Sequence, residues 1–139
     1  MMIQDNPSAD LYDQLRGAVL AVRPTDAPNV DRYAKTYAIT KKDDGGKLQG
    51  GAYVYVHPGW AYIDLVWVDS RARGKGVGRR LMEEAEAEAQ RRGCHSAYLW
   101  TQDYEAPGFY EKLGYRKFVE LDNFIPGHQR IGFMKRIAE

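Results

Sequence analysis

Leu11, Leu15, Val19 and Val22 recur at helical spacing behind Asn6-Pro7-Ser8, with Tyr12 and Ala18 beside them. Asn or Ser at that entry can cap a helix, and Pro suits its first turn. Pro24 ends the segment, and Gly17 weakens it by about 1 kcal/mol relative to Ala. Met1 to Gln4 is compatible with an edge strand. Between Thr25 and Lys35 the pattern is ambiguous, fitting either a short second helix after Pro28 or a loop over a binding site.

The period changes to two at Thr36. Thr36 to Lys42, Gly50 to His57 and Trp60 to Val68 read as strands, separated by the turn signals Asp43-Asp44-Gly45-Gly46 and Pro58-Gly59. Three strands with two short turns predict an antiparallel meander. Helical spacing returns at Val77, Leu81, Ala85 and Ala89, with Met82 adjacent, while Arg80, Glu84, Glu88 and Arg92 follow one another at i,i+4 on the outer face. Gly93 is a plausible stop. The short apolar run Ala97 to Thr101 then suggests a buried strand. Strand, turn, helix and strand in that order form a βαβ unit, so this strand should lie parallel to the one ending at Val68. Pro107 opens a shorter helix ending at Gly114, and Arg116 to Asn123 and Gln129 to Arg136 read as two closing strands. The predicted architecture is α+β: a mixed, mostly antiparallel sheet of six or seven strands flanked by about four helices.

Composition narrows the class without changing this picture. A chain of 139 residues, 44% hydrophobic and 28% charged, fits one domain over residues 1–139. The net charge of +1 gives no global electrostatic case for nucleic acid or an acidic membrane. The lone Cys94 has no intramolecular partner, and no cysteine–histidine cluster has metal-site spacing, so no metal is expected. No run reaches membrane-spanning length and no signal-peptide pattern is visible, which makes a reducing cytoplasm the expected setting.

The informative chemistry lies between Val68 and Val77. Three glycines, Gly74, Gly76 and Gly78, share this turn with Arg71, Arg73, Lys75, Arg79 and Arg80, and no acid follows Asp69. Glycines admit close approach of backbone N–H groups to an anion, and a helix N-terminus aims further N–H groups and partial positive charge at the same point. The alternative is a solvated basic turn, which leaves the glycine clustering unexplained. Two phosphate motifs fail here. A P-loop needs Ser or Thr after its lysine, but Gly76 follows Lys75; a dinucleotide fingerprint from Gly74 would need glycine where Arg79 stands.

Arg73-Gly74-Lys75-Gly76-Val77-Gly78 fits R-x-x-G-x-G and resembles the acyl-CoA pyrophosphate loop of the GNAT superfamily of N-acetyltransferases. Ala106-Pro107-Gly108-Phe109-Tyr110-Glu111-Lys112-Leu113-Gly114-Tyr115 resembles the superfamily's A-x-x-F-Y-x-x-x-G-[FY] segment, one helix and one strand downstream. The order of elements agrees over nearly the whole chain, and the resemblance extends to small stand-alone bacterial members. It implies a V-shaped splay between the two central parallel strands, with acetyl-CoA as acyl donor in the cleft. Backbone groups of Val66 and Val68 would hold the pantetheine and thioester. Arg73, Gly74, Lys75, Gly76, Val77 and Gly78 would surround the pyrophosphate, and Asp103 and Phe109 would also contact the donor, although Asp103 stands where the family often has Asn.

The same resemblance makes Tyr110 the group that protonates the departing thiolate, against the plainer reading of a packing tyrosine. Asp64, an aspartate within the apolar run Tyr62-Ile63-Asp64-Leu65-Val66, is the candidate base that accepts the amine proton. Strict alternation would put it on Val66's face; the alternative is a carboxylate satisfied by backbone or a basic partner. Tyr62 and His128 could line the amine side, and Asp64, Asp103 and Glu105 would favour a cationic acceptor. Without a motif to activate it, Cys94 reads as packing rather than as a nucleophile. The implied reaction is direct attack of a primary amine, on a small molecule or a peptide, in a ternary complex. The competing readings are a catalytically silent CoA-binding regulatory module and, more remotely, a nucleic-acid binder using the basic turn. Dimers are frequent among relatives, so a homodimer is one expectation for assembly.

Overall fold

The computed structural model describes residues 1–24, 26 and 35–139. The chain runs α1 (Ala9–Leu20), β1 (Lys35–Lys42), β2 (Leu48–Val56), β3 (Trp60–Val68), α2 (Val77–Arg91), β4 (Ser96–Gln102), α3 (Pro107–Lys112), β5 (Arg116–Ile125) and β6 (His128–Arg136), with a 3-10 turn at Ser70–Ala72. Local chemistry sets the boundaries. The Ser8 hydroxyl accepts from the Leu11 N–H at 3.3 Å and caps α1. Asp43 Oδ1 accepts from the Gly45 and Lys47 amides, both at 2.9 Å, and closes the β1–β2 turn. Met1–Gln4 forms no strand, because its side chains lie in solvent with nothing to pair against, so the sheet has six strands. Three α-helices are seen among the described residues. The alternatives for Thr25–Lys35 lie outside the described residues, apart from Asp26 and from Lys35, which begins β1.

The sheet order is β1-β2-β3-β4-β6-β5, antiparallel throughout except for the parallel pair β3 and β4. That pair is short. Trp60, Ala61 and Tyr62 meet Ser96, Ala97 and Tyr98, and there the pairing ends, although β3 runs on to Val68 and β4 to Gln102. From Ile63 to Val68 the edge of β3 turned away from β2 therefore has no strand partner among the described residues. This is the V-shaped splay.

A second irregularity lies beside it. Tyr53 pairs with Leu65 and Val54 with Ile63, so Asp64 is an extra residue in β3, a β-bulge. Before the bulge Ala61 and Ile63 face the core; after it Val66 and Val68 do, opposite Ala52 and Gly50. The alternation is inverted at Asp64.

Helix α2 covers the core face of β1, β2 and β3. Its Met82, Ala85 and Ala89 join Ala52, Val54, Ala61, Ile63, Leu99 and Phe133 in one buried cluster, each large member worth about 1.5–3 kcal/mol. Close approach is possible because position 50 is glycine: a Cβ there would lie 3.0 Å from the Trp67 carbonyl oxygen and 3.1 Å from Leu81 Cδ1. Phe109 and Tyr110 of α3 pack against the same cluster. The opposite face carries Tyr55, Trp60, Tyr62, Tyr98 and Trp100, whose rings contact one another across the strands or pack on neighbouring rings. No helix among the described residues is long and apolar enough to cross a membrane.

Candidate active site

Strand β3 ends in the glycine turn. Asp69 Oδ1 accepts from the Arg71 amide at 3.3 Å and opens the 3-10 turn, and Arg73 Nε donates to the Val68 carbonyl at 3.1 Å. Gly74 and Gly76 both have φ of +76°, a conformation that costs an L side chain about 1–2 kcal/mol. Gly76 is also the N-cap of α2 and has no side chain to satisfy the first turn. The first bond into the helix is Arg80 N–H to Gly76 C=O at 3.1 Å, so the amides of Val77, Gly78 and Arg79 have no acceptor among the described residues. Gly78 serves proximity: a Cβ there would lie 3.2 Å from Phe109 Cζ and 3.5 Å from Val68 Cγ2.

These amides line a groove of about 360 Å³. Val66, Val68, Arg73, Gly74, Gly76, Val77, Gly78, Phe109 and Tyr110 all contribute to its wall, together with Ala72, Arg79, Glu105 and Ala106. Sequence reasoning brought those nine together; of the other four, Arg79 was among the basic residues of the turn, Ala106 opened the second motif, Glu105 was an acid expected near the cleft, and only Ala72 carried no signal. Lys75 is exposed on the turn and does not line the groove. A hollow of about 430 Å³ on the β1 side of α2 is lined by Val77 and Arg80 but includes none of the turn's glycines, so the groove is the stronger candidate.

Tyr110 packs among Phe109, Tyr115 and Phe133, with ring centroids 5.1, 6.2 and 6.0 Å away. Burial, and then the Glu105 carboxylate, push its phenol up to about 12. Glu105 is held by the Thr101 hydroxyl at 3.3 Å. Ala106, at φ +63°, makes the sharp entry into α3 ahead of Pro107.

Asp64 is not on this face. The bulge turns it to the side of Tyr62, where, after burial, its charge helps raise the Tyr62 phenol, while Val66 joins the core. Asp103 departs further from expectation. Its carboxylate accepts from the Gln129 amide at 3.1 Å and meets His128 Nδ1 at 3.0 Å, so it holds the start of β6 outside the groove, and these bonds keep it below the usual carboxylate range. His128 is likewise committed to Asp103 and to the Tyr104 ring, 5.1 Å away. Cys94 is buried, and burial raises its thiol, leaving it protonated and inert.

A backbone-amide cradle at a helix N-terminus, a groove along a splayed strand and a partly buried phenol at its side thus form one arrangement. A family profile described as "Acetyltransferase (GNAT) family" matches residues 8–115. The chain is 38% identical over 126 residues to the blasticidin-S acetyltransferase of Streptomyces morookaense, covering 90% of this chain and 86% of that one. It is 34% identical over 98 residues to an acetyltransferase of Agrobacterium fabrum, covering 70% and 72% of the two chains. The crystal structure of an acetyltransferase from Bacillus cereus superposes with a TM-score of 0.82 at 26% identity over 98% of both chains. The chain belongs to the GNAT acetyltransferase family and is an N-acetyltransferase.

Proposed function

We propose that the chain moves an acetyl group from acetyl-CoA to a primary amine by direct attack in a ternary complex. The observation that carries this reading is the groove, which joins the unsatisfied amides at the start of α2 to the unpaired edge of β3 and to Tyr110. Its residues suit the donor: glycines admit a pyrophosphate to several N–H groups at once, and the helix end adds partial positive charge. Bound there, acetyl-CoA supplies an activated acyl group and a thiol leaving group.

The amides of Gly74, Gly76, Val77, Gly78 and Arg79 hold the pyrophosphate in this scheme. Backbone groups of Val66 and Val68 hold the pantetheine arm and polarise the acyl carbonyl. Tyr110 is a phenol at neutral pH, since its pKa lies near 12. Giving its proton outright to a thiolate of pKa about 8.5 is uphill by roughly 5 kcal/mol, so its role is to hydrogen bond the departing sulfur. The amine enters from the other face through the splay. An alkylammonium of pKa about 10.4 must lose a proton before it attacks; Asp64 is the carboxylate on that face that orients it by hydrogen bonding while the proton passes to solvent. Acyl-CoA as donor makes the cytoplasm the site of reaction.

Blasticidin S is the first acceptor to test, because the 38% identical relative is named for it. Release of CoA from acetyl-CoA in the presence of blasticidin S or another amine supports the proposal. Tight acetyl-CoA binding without transfer to any member of a broad amine panel replaces it with the silent regulatory module.

A further inference from the structure

The face of the sheet opposite α2 carries more chemistry than the transfer itself requires. At the last paired register of β3 and β4, the Tyr62 and Tyr98 rings stack with centroids 5.0 Å apart and planes 20° apart. Tyr55 extends the row at 6.1 Å and 25°. Two residues beyond the row, on the two arms of the splay, stand Asp64 and Trp100. Trp100 is met by the edge of Phe118 at 5.7 Å, and that contact depends on glycine at position 132, where a Cβ would fall 2.7 Å from Phe118 Cζ.

Arg130 completes the set. It enters the face from β6, opposite Gln102, and its guanidinium carbon sits 4.9 Å from the centroid of Trp100 and 5.0 Å from that of Phe124. The rings hold the cation in place, yet neither Arg130 nor Asp64 has an ion-pair partner among the described residues. Both are half-buried. A cation held between two rings and a carboxylate, neither ion-paired among the described residues, thus flank the stacked aromatic row at the point where the splay opens.

We infer that this face is the acceptor subsite and that it takes a small zwitterionic amine carrying a planar unsaturated ring. The ammonium group lies at Asp64, the ring packs against the Tyr62–Tyr98 row and Trp100, and the anionic group meets Arg130. The inference rests on the acetyltransferase reading above and adds to it the class of acceptor and two specificity residues, Tyr98 and Arg130. A ring–ring contact is worth about two- to twelve-fold in affinity, and a guanidinium–carboxylate contact about ten-fold or more.

Four matched probes test it: 4-(aminomethyl)benzoate, its saturated cyclohexane counterpart, 4-(aminomethyl)benzamide and an unstructured lysine-containing peptide. The expected order of kcat/KM for acetyl transfer places the benzoate first, about ten-fold above the benzamide and several-fold above the saturated acid and the peptide. In Arg130→Gln the acid-over-amide preference disappears through KM while kcat holds. In Tyr98→Leu the ring preference disappears, and Tyr98→Phe retains it. Unaltered acetyl-CoA affinity establishes that each variant is folded. Equal kcat/KM for benzoate and benzamide, for flat and saturated rings, or a preference for the peptide overturns the inference and leaves the acetyltransferase reading standing. If no probe is acetylated, each is titrated into the CoA-saturated protein by calorimetry. Ring- and acid-selective binding then upholds the subsite while the transfer reading fails, and its absence overturns the subsite.

Discussion

At the scale of single residues, the proposed reaction puts its heaviest demands on position 110 for the chemistry and on position 78 for the donor's fit. Tyr110→Phe keeps the ring packing against Phe109 and Phe133 but removes the hydroxyl that the proposal assigns to the leaving sulfur. Turnover is expected to fall about ten- to a hundred-fold with acetyl-CoA affinity within two-fold, as steady-state kinetics and calorimetry will measure. Unchanged turnover removes Tyr110 from the mechanism. Gly78→Val drives a branched side chain toward Phe109 and into the groove, and should weaken acetyl-CoA binding at least ten-fold. Gly108→Ala, where an added Cβ meets nothing within 4 Å, is the control that leaves affinity in place. Both positions were legible because glycine spacing and the Phe-Tyr pair are contiguous in sequence. Asp103 was not, since what occupies its carboxylate is the Gln129 amide and His128, brought in by β6 from 25 or more residues away.

At the scale of elements, the pattern of apolar positions located β3 with the same ends, Trp60 and Val68, that the structure shows, and placed α2 and β4 within a residue or two. The face of Asp64 escaped it. A bulge belongs to the register between two strands, not to the composition of either, so simple alternation put Asp64 with Val66 where the structure separates them. The attachment of α2 to the far side of the sheet was also unreadable in advance. Glu86 accepts from the Tyr115 hydroxyl at 3.0 Å and from Lys135 Nζ at 2.7 Å, joining α2 to the end of α3 and to β6. Removing it in Glu86→Ala leaves the buried Tyr115 hydroxyl without its acceptor, at a cost of about 2–3 kcal/mol in denaturant unfolding. Glu86→Gln should recover part of that loss.

At the scale of the whole molecule, the proposal gives the sheet two chemistries, donor on the α2 face and acceptor on the other, with the splay as the opening between them. Burial of phenols on the donor face makes the fold sensitive to alkali. Tyr37, its hydroxyl bonded to the Ala85 carbonyl at 2.6 Å, and Tyr110 are both pushed up to about 12, and Tyr115 is raised by burial and by Glu86. The folded chain therefore holds protons that the unfolded chain, with phenols near pKa 10, releases. This stability is fully present below pH of about 10 and is lost as pH rises toward about 12. Denaturation midpoints should fall across that window, with tyrosinate absorbance rising in step with unfolding. A titration completed near pH 10 with the fold intact would contradict the burial described.

The most direct test of the central claim is mass spectrometry of an amine panel, blasticidin S included, incubated with the protein and acetyl-CoA. One acetyl group gained by an amine, with equimolar CoA released and both lost in Gly78→Val, is the result predicted. Acetyl-CoA left intact across the panel, or an acetylated amine formed equally well by Gly78→Val, would contradict it.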